Sequence, residues 1–247
     1  MCHAFPRSIL IAVILAAGPW QAAQGASPFA RDVPTTYPRF DDAADSLTLV
    51  VAKLVATDYL KGYDCPASTI RADGGTTVVV CMNPAPTWFK AQVLQHVAGA
   101  DIGDAFYAVT GSHYGAMKVG PTEPARLMLL HSNGTALEMV RYKSWPVARS
   151  RDGQFHLIVQ GGLAHWLPCW TAALMQDIDE SAFDADLAIP RDEYDSRWAA
   201  QYASFYKVGA DSVLPRYEIP VASLQQGFKE LPMAAADFSC RQPEPVR

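Results

Sequence analysis

Serine and histidine adjoin between glycines at Gly111-Ser112-His113-Tyr114-Gly115, a set of residue types suited to nucleophilic catalysis. A nucleophile elbow needs Gly-x-Ser-x-Gly, with the serine at the apex of a strained strand-to-helix turn. Here the serine directly follows the glycine. In a strand, Ser112 and His113 would also point to opposite faces, which separates base from nucleophile. The stretch therefore reads as a strand end and turn, and no catalytic residue is assigned.

Metal chemistry fares no better. Asp177-Ile178-Asp179-Glu180-Ser181, with Asp184 and Asp186, begins like a calcium loop. Position six lacks the required glycine, and position twelve is Ala188 where a bidentate glutamate is needed. A solvated acidic loop is the expectation. His96, His131, His156 and His165 show neither the i, i+4 spacing of a helix nor a His-x-His strand pair. Cys65, Cys81, Cys169 and Cys240 lack a Cys-x-x-Cys pair and a histidine at ligand spacing. No metal and no cofactor is implied. Asn133-Gly134-Thr135 matches a glycosylation acceptor, which the Asn-Gly turn explains without sugar.

His165-Trp166-Leu167-Pro168-Cys169-Trp170 sets two indoles beside a cysteine. Indoles pack well against disulfides, so a structural anchor is expected. The alternative is an exposed binding patch of Trp166 and Trp170 with His113 and Tyr114, because aromatic side chains dominate interface hot spots.

The amino terminus points to export. Met1 to Arg7 is followed by the apolar run Ile9 to Ala17, the breaker Gly18-Pro19, and Ala23-Gln24-Gly25 with small side chains where a signal peptidase reads them. Cleavage near Gly25 or Ala26 makes residues 1–26 a signal peptide. The apolar run is far shorter than the about 20 residues of a bilayer span, so no membrane insertion is expected after processing. Cys2 leaves with the signal, and the remaining four cysteines form an even set in an oxidising compartment, periplasmic or secreted. Four cysteines allow three connectivities. Cys65 with Cys81, flanking a turn-rich segment, and Cys169 with Cys240, tying down the tail, are the expected pairs.

Half of the chain is hydrophobic and 18% is charged, the composition of a globular domain with a core. Lys and Arg number 20 against 25 Asp and Glu, for a formal charge of -5. The basic stripe that phosphate-backbone binding requires is absent, so no nucleic-acid partner is expected.

The elements that position these residues follow from periodicity and turn chemistry. Residues 27–45 read as an extended, proline-punctuated arm. Residues 46–162 read as a β-barrel: strands over 46–58, 76–82, 88–97, 105–110, 126–131, 136–140 and 155–159, with hairpins at 99–104 and at Asn133-Gly134, the latter as a type I′ turn. Residues 163–247 read as a helical cover packed on the barrel. Its clearest helix spans 192–207, with Tyr194, Trp198 and Tyr202 along one face, and Ser223 caps another. The fold class is α+β and β-rich, a small antiparallel barrel of about 5–7 strands with a helical, disulfide-tied carboxy-terminal third.

The long first strand, the cysteine-bearing second, Lys90-Ala91-Gln92-Val93-Leu94, the 99–104 turn and Phe106-Tyr107-Ala108-Val109-Thr110 together resemble small OB-type barrels of uncharacterised exported bacterial proteins. The resemblance covers about half of the mature chain as a strand pattern, and implies binding by the barrel without naming a ligand. The function expected is an exported, non-catalytic binding or interaction protein of the bacterial envelope whose partner is a protein or another envelope component. The alternative is a hydrolase or metal-dependent enzyme with a site assembled from dispersed residues.

Overall fold

The computed structural model describes residues 32–40, 46–62, 67–71, 77–81, 85–112, 117, 119–160, 167, 169–183, 187–191 and 203–236. In chain order the barrel region contains β1 (Ser46–Tyr59), β2 (Ala67–Arg71), β3 (Thr77–Cys81), β4 (Ala85–Gly99), β5 (Ala105–Ser112), β6 (Arg126–Ser132), β7 (Leu137–Arg149) and β8 (Phe155–Val159). The carboxy-terminal third adds β9 (Gln176–Asp177), β10 (Ile189–Pro190), β11 (Tyr206–Val208), β12 (Ser212–Pro215) and β13 (Tyr217–Pro220).

The unbroken apolar runs of β1 and β6 are explained by burial on both faces. Val50, Ala52, Leu54, Met128 and Leu130 turn inward, where they meet Phe89, Ala91, Phe106, Ala108 and Leu137. Phe89 and Phe106 meet edge to face at 6.0 Å. Leu49, Val51, Leu127 and Leu129 turn outward into a second core with Trp145, Val147, Leu157, Val159, Ile219, Val221 and Leu224. A strand covered on both sides loses its polar alternation and reads as a continuous hydrophobic run.

β1 pairs antiparallel with β4 on one side and β6 on the other; β5 joins β4, and β7 joins β6, also antiparallel. β5 and β7 then meet at Val109 and Glu138, closing five strands into a ring, and this last pair is parallel. The barrel is therefore mixed, not antiparallel as expected from the sequence. An odd number of strands cannot alternate direction all the way round a ring, so one pair must run parallel. Register shifts in β1 at Leu49/Val50, Val51/Ala52 and Leu54/Ala56 supply the coiling that closure demands.

The expected strands at 46–58, 88–97, 105–110, 126–131 and 155–159 are present with adjusted ends. The turn-rich segment before residue 76 contains a strand instead: β2 pairs with β3 in a separate two-stranded ribbon. The Asn133-Gly134 turn is in place but is not a two-residue type I′ loop. Ser132 pairs with Leu137, leaving residues 133–136 as the connection. Asn133 Oδ1 shapes it by accepting from the Thr135 N–H at 3.1 Å, the Ala136 N–H at 2.8 Å and the Thr135 hydroxyl at 3.0 Å.

The carboxy-terminal third differs most from expectation. Its described residues form short strands and 3₁₀ turns, with no α-helix among them. Residues 192–202, carrying Tyr194, Trp198 and Tyr202, lie outside the described residues. The end of the expected helix is a 3₁₀ turn, Ala203–Phe205, followed by β11. Tertiary pairing overrides helical spacing here, because β11 bonds to β12 and β13 bonds to β8 and β9. Ser223 lies inside the 3₁₀ run Val221–Ala236 and donates to the Pro220 carbonyl at 2.6 Å, so it is not an N-cap. Each expected disulfide has one cysteine outside the described residues, and the two described cysteines, Cys81 and Cys169, do not lie at disulfide distance from one another. Cys81 lies in β3 opposite Ala67 and Cys169 opens the 3₁₀ turn Cys169–Leu174, while Cys65 and Cys240 lie outside the described residues.

Gly99 pins the end of the β1–β4 pair. Its φ is +89°, and a Cβ there would stand 2.1 Å from the Leu47 carbonyl oxygen. Gly134 has the same backbone region, φ +88°, with open space around it. Gly99→Ala is expected to lower the urea unfolding free energy by well over about 1 kcal/mol, and Gly134→Ala by about 1 kcal/mol. Equal costs for the two would show that the close approach of Leu47 does not constrain the strand pair.

Candidate functional site

Alternation along β4 divides its side chains between the core and an outer face. Phe89 and Ala91 are buried inside, while Trp88, Lys90, Gln92 and Leu94 lie on the other side with partial to full exposure. Register then brings a second row alongside, since Lys90 stands opposite Tyr107 on β5 and opposite Ala56 on β1, and Trp88 stands opposite Asp58. The Trp88 and Tyr107 rings are 5.8 Å apart and tilted by 56°. The Lys90 ammonium sits 5.4 Å from the Tyr107 centroid, within cation–π range. Thr57 fixes the Trp88 backbone by donating from its hydroxyl to the Trp88 carbonyl at 2.9 Å. Exposed Val55 and Leu94 add apolar surface on β1 and β4.

The outer row through Trp88 continues across the seam. Trp88 pairs with Val109, and Val109 pairs with Glu138. Val109 is fully buried, yet it belongs to none of the core clusters. Arm residues 32–40 supply contacts next to it. The Tyr37 hydroxyl donates to Glu138 Oε1, Phe40 stacks on His131 with centroids 6.2 Å apart, and Asn133 Nδ2 donates to the Arg39 carbonyl at 2.9 Å. Burial, then the hydrogen bond to Glu138 and its charge, raises the Tyr37 pKa well above that of a free phenol.

Two buried polar groups lie away from this face. The first is Lys143, placed by a bulge in β7: Met128 pairs with Ser144 and Leu130 with Met139, so residues 140–143 face Leu129 alone. Its side chain is fully buried, with the ammonium 5.8 Å from the Trp145 ring, and desolvation pulls its pKa down to about 8. The second group is on the far side of the β8–β13 sheet. Glu218 Oε1 accepts from Gln176 Nε2 at 2.9 Å and lies 3.3 Å from His156 Nδ1. Glu218 Oε2 has no hydrogen-bond partner among the described residues. Phe183 covers the imidazole edge to face at 5.3 Å, and Ile158 and Ile178 pack beside it.

Trp166, His113 and Tyr114 lie outside the described residues. Trp170 packs against the outer core, and its ring would stand 2.3 Å from a Cβ on Gly227, the close contact of a structural anchor. Asp179 caps the turn Glu180–Ala182 by accepting from the Ser181 N–H at 3.0 Å, and the Ser181 hydroxyl followed by its N–H holds the carboxyl below its ordinary pKa. His96 is exposed, His131 lies under Phe40 and His156 faces Glu218. Among the described residues, no three His, Cys, Asp or Glu side chains converge on a metal position.

The period-two alternation of the expected 88–97 strand is enough to put Trp88, Lys90, Gln92 and Leu94 on one face. Tyr107 joins that face only through the β4–β5 register. The Lys143 burial and the His156–Glu218 meeting had no signal in spacing, since a bulge creates one and a strand pair from distant parts of the chain creates the other.

The sign of the Lys143 effect follows from its depressed pKa. Folding disfavours the ammonium, so the unfolded chain binds more protons between pH 8 and the ordinary lysine value of 10.5. Stability relative to a Lys143→Met variant should therefore rise as pH increases through that window. The gain should reach up to about 3 kcal/mol, at about 1.4 kcal/mol per pKa unit. Denaturant titrations of both proteins at pH 7.5 and 10.5 measure it, and a flat difference would show that the ammonium is not desolvated.

Compared with known proteins, the chain matches no family model, no curated protein and no solved structure.

Proposed function

We propose that this chain is an exported, non-catalytic binding protein of the bacterial envelope that takes its ligand on the outer face of β1, β4 and β5. The observation that carries the reading is the grouping of Trp88, Tyr107 and Lys90 on one exposed face. Rigid rings present large contact area at small entropic cost, and strand positions hold them more tightly than a loop would. One lysine, with Asp58 opposite the neighbouring Trp88 and Gln92 next along β4, suits a ligand with flat apolar faces and polar edges. Such ligands include sugar rings or peptide side chains of an envelope component, and exclude a polyanionic nucleic acid.

Connectivity supports an OB-type assignment. Around the ring the order is β1, β4, β5, β7, β6, with the parallel contact between the third and fifth barrel strands. In OB-type barrels the second and third strands carry the ligand face, and here those strands are β4 and β5. The β2–β3 ribbon occupies the connection between the first and second barrel strands. A Cys65–Cys81 disulfide would brace this ribbon, and Cys169–Cys240 would tie the tail to the cover. The second reading, an enzyme, draws on the buried Glu218 with the partly buried His156 and the exposed Gln176 at its carboxylate.

The exported form should have the mass of a chain starting near residue 26, without lipid, and non-reducing peptide mapping should yield both disulfides. A retained leader, an acyl chain, a free thiol or a Cys65–Cys169 peptide counts against this part of the reading.

The binding face has its own test, in which mature protein on a support is exposed to the envelope fraction beside Tyr107→Ala and Lys90→Ala variants. The expected result is retention of one component by the parent and at least a tenfold loss in the variants, the scale of one or two hot-spot contacts. Unfolding midpoints should change little, as for other surface substitutions. Equal retention by all three proteins would remove the face from the function.

A further inference from the structure

We infer that residues 32–40 are a strap that holds the barrel shut at its β5–β7 seam and covers the seam-side end of the outer face. Among the described residues, every other junction of the ring is a ladder of several paired residues, whereas β5 and β7 are joined in register at Val109 and Glu138 alone. A junction of one bridge is the place where the ring opens at the smallest cost, since local opening follows the weakest set of hydrogen bonds and contacts.

The three arm contacts all fall on the β6–β7 side of that junction. Tyr37 binds the carboxylate of Glu138, the residue that makes the bridge. Phe40 lies flat on His131, which pairs with Glu138 across β6 and β7. Arg39 accepts from Asn133 in the hairpin loop that joins these two strands. The arm thus clamps the hairpin from outside at the register position where it meets β5. Val109, buried on the outer side without belonging to a core cluster, is enclosed between Trp88 and the Tyr37-capped Glu138.

Release of the strap would uncover Val109 and the Glu138 carboxylate, lengthening the outer row that starts at Asp58 and Trp88. A ligand spanning the whole row must therefore displace the arm, and a short ligand need not. The strap stands on its own contacts and does not depend on what the Trp88 face binds.

Amide hydrogen exchange on the full mature protein tests it, with Tyr37→Phe and Phe40→Ala as variants. Tyr37→Phe keeps the ring and removes only the hydroxyl. Exchange over residues 107–110 and 137–140 should accelerate about tenfold or more in each variant, the loss expected for a hydrogen bond to a charged group. Exchange over residues 48–52 and 127–130 should stay unchanged. Seam rates within twofold of the parent in both variants would overturn the inference. Uniform acceleration across the sheet would overturn it as well, because the arm would then support the whole fold and not the seam.

Discussion

The wall formed by the first half of β1 and by β6 has no solvent face, and the remainder of the structure is arranged around that constraint. Two strands apolar on both sides cannot sit at the surface of a simple barrel, because the outward set of Leu49, Val51, Leu127 and Leu129 would be left in water. The chain meets this by extending β7 past the ring into β8 and by returning β13 and the 3₁₀ turns from the far end of the sequence. Barrel and cover thereby share one pair of strands. Each leucine of the wall removes water from one core or the other, and the two cores are separated by a single layer of backbone.

The face proposed for binding is where the cover stops. β4 and the distal half of β1 diverge from the doubly buried wall, so their outward positions alternate again and carry Trp88, Lys90, Val55 and Asp58. The same transition explains the partition of charge. Lys143, Glu218 and His156, all within the covered region, are enclosed by aromatic and amide groups, whereas Asp152 and Asp179 stay in solvent-facing turns held by neighbouring hydroxyls.

Much of the barrel was legible because short-range signals fix it. The alternation in 88–97, the turn at Asn133-Gly134 and the apolar runs of 46–52 and 127–130 each report local geometry. What stayed hidden depends on distant partners. β2 is Ala-Ser-Thr-Ile-Arg beside turn residues and is recognisable only once β3 pairs with it. The strands at 206–208 and 217–220 carry aromatic residues that suit a helix face equally well, and pairing with β12 and β8 decides the matter. Mixed closure was in principle derivable from a five-strand count, but turn signals cannot give the count. Of the site, one strand's face was readable and its neighbour's contribution was not.

The β2–β3 ribbon carries a liability of a different kind. Among the described residues neither of its strands bonds to the barrel sheet, so both outer edges keep their backbone donors and acceptors unpaired by strands. β3 reads Thr-Val-Val-Val-Cys, without charge or proline, and Arg71 at the end of β2 is the ribbon's one charged residue within paired positions. A β-branched segment with open edges is the kind of template that recruits like segments from other chains. At high concentration, and whenever the chain is unfolded, this ribbon is a part of the described chain where edge-to-edge aggregation would begin, with Arg71 the one charged residue at its paired positions.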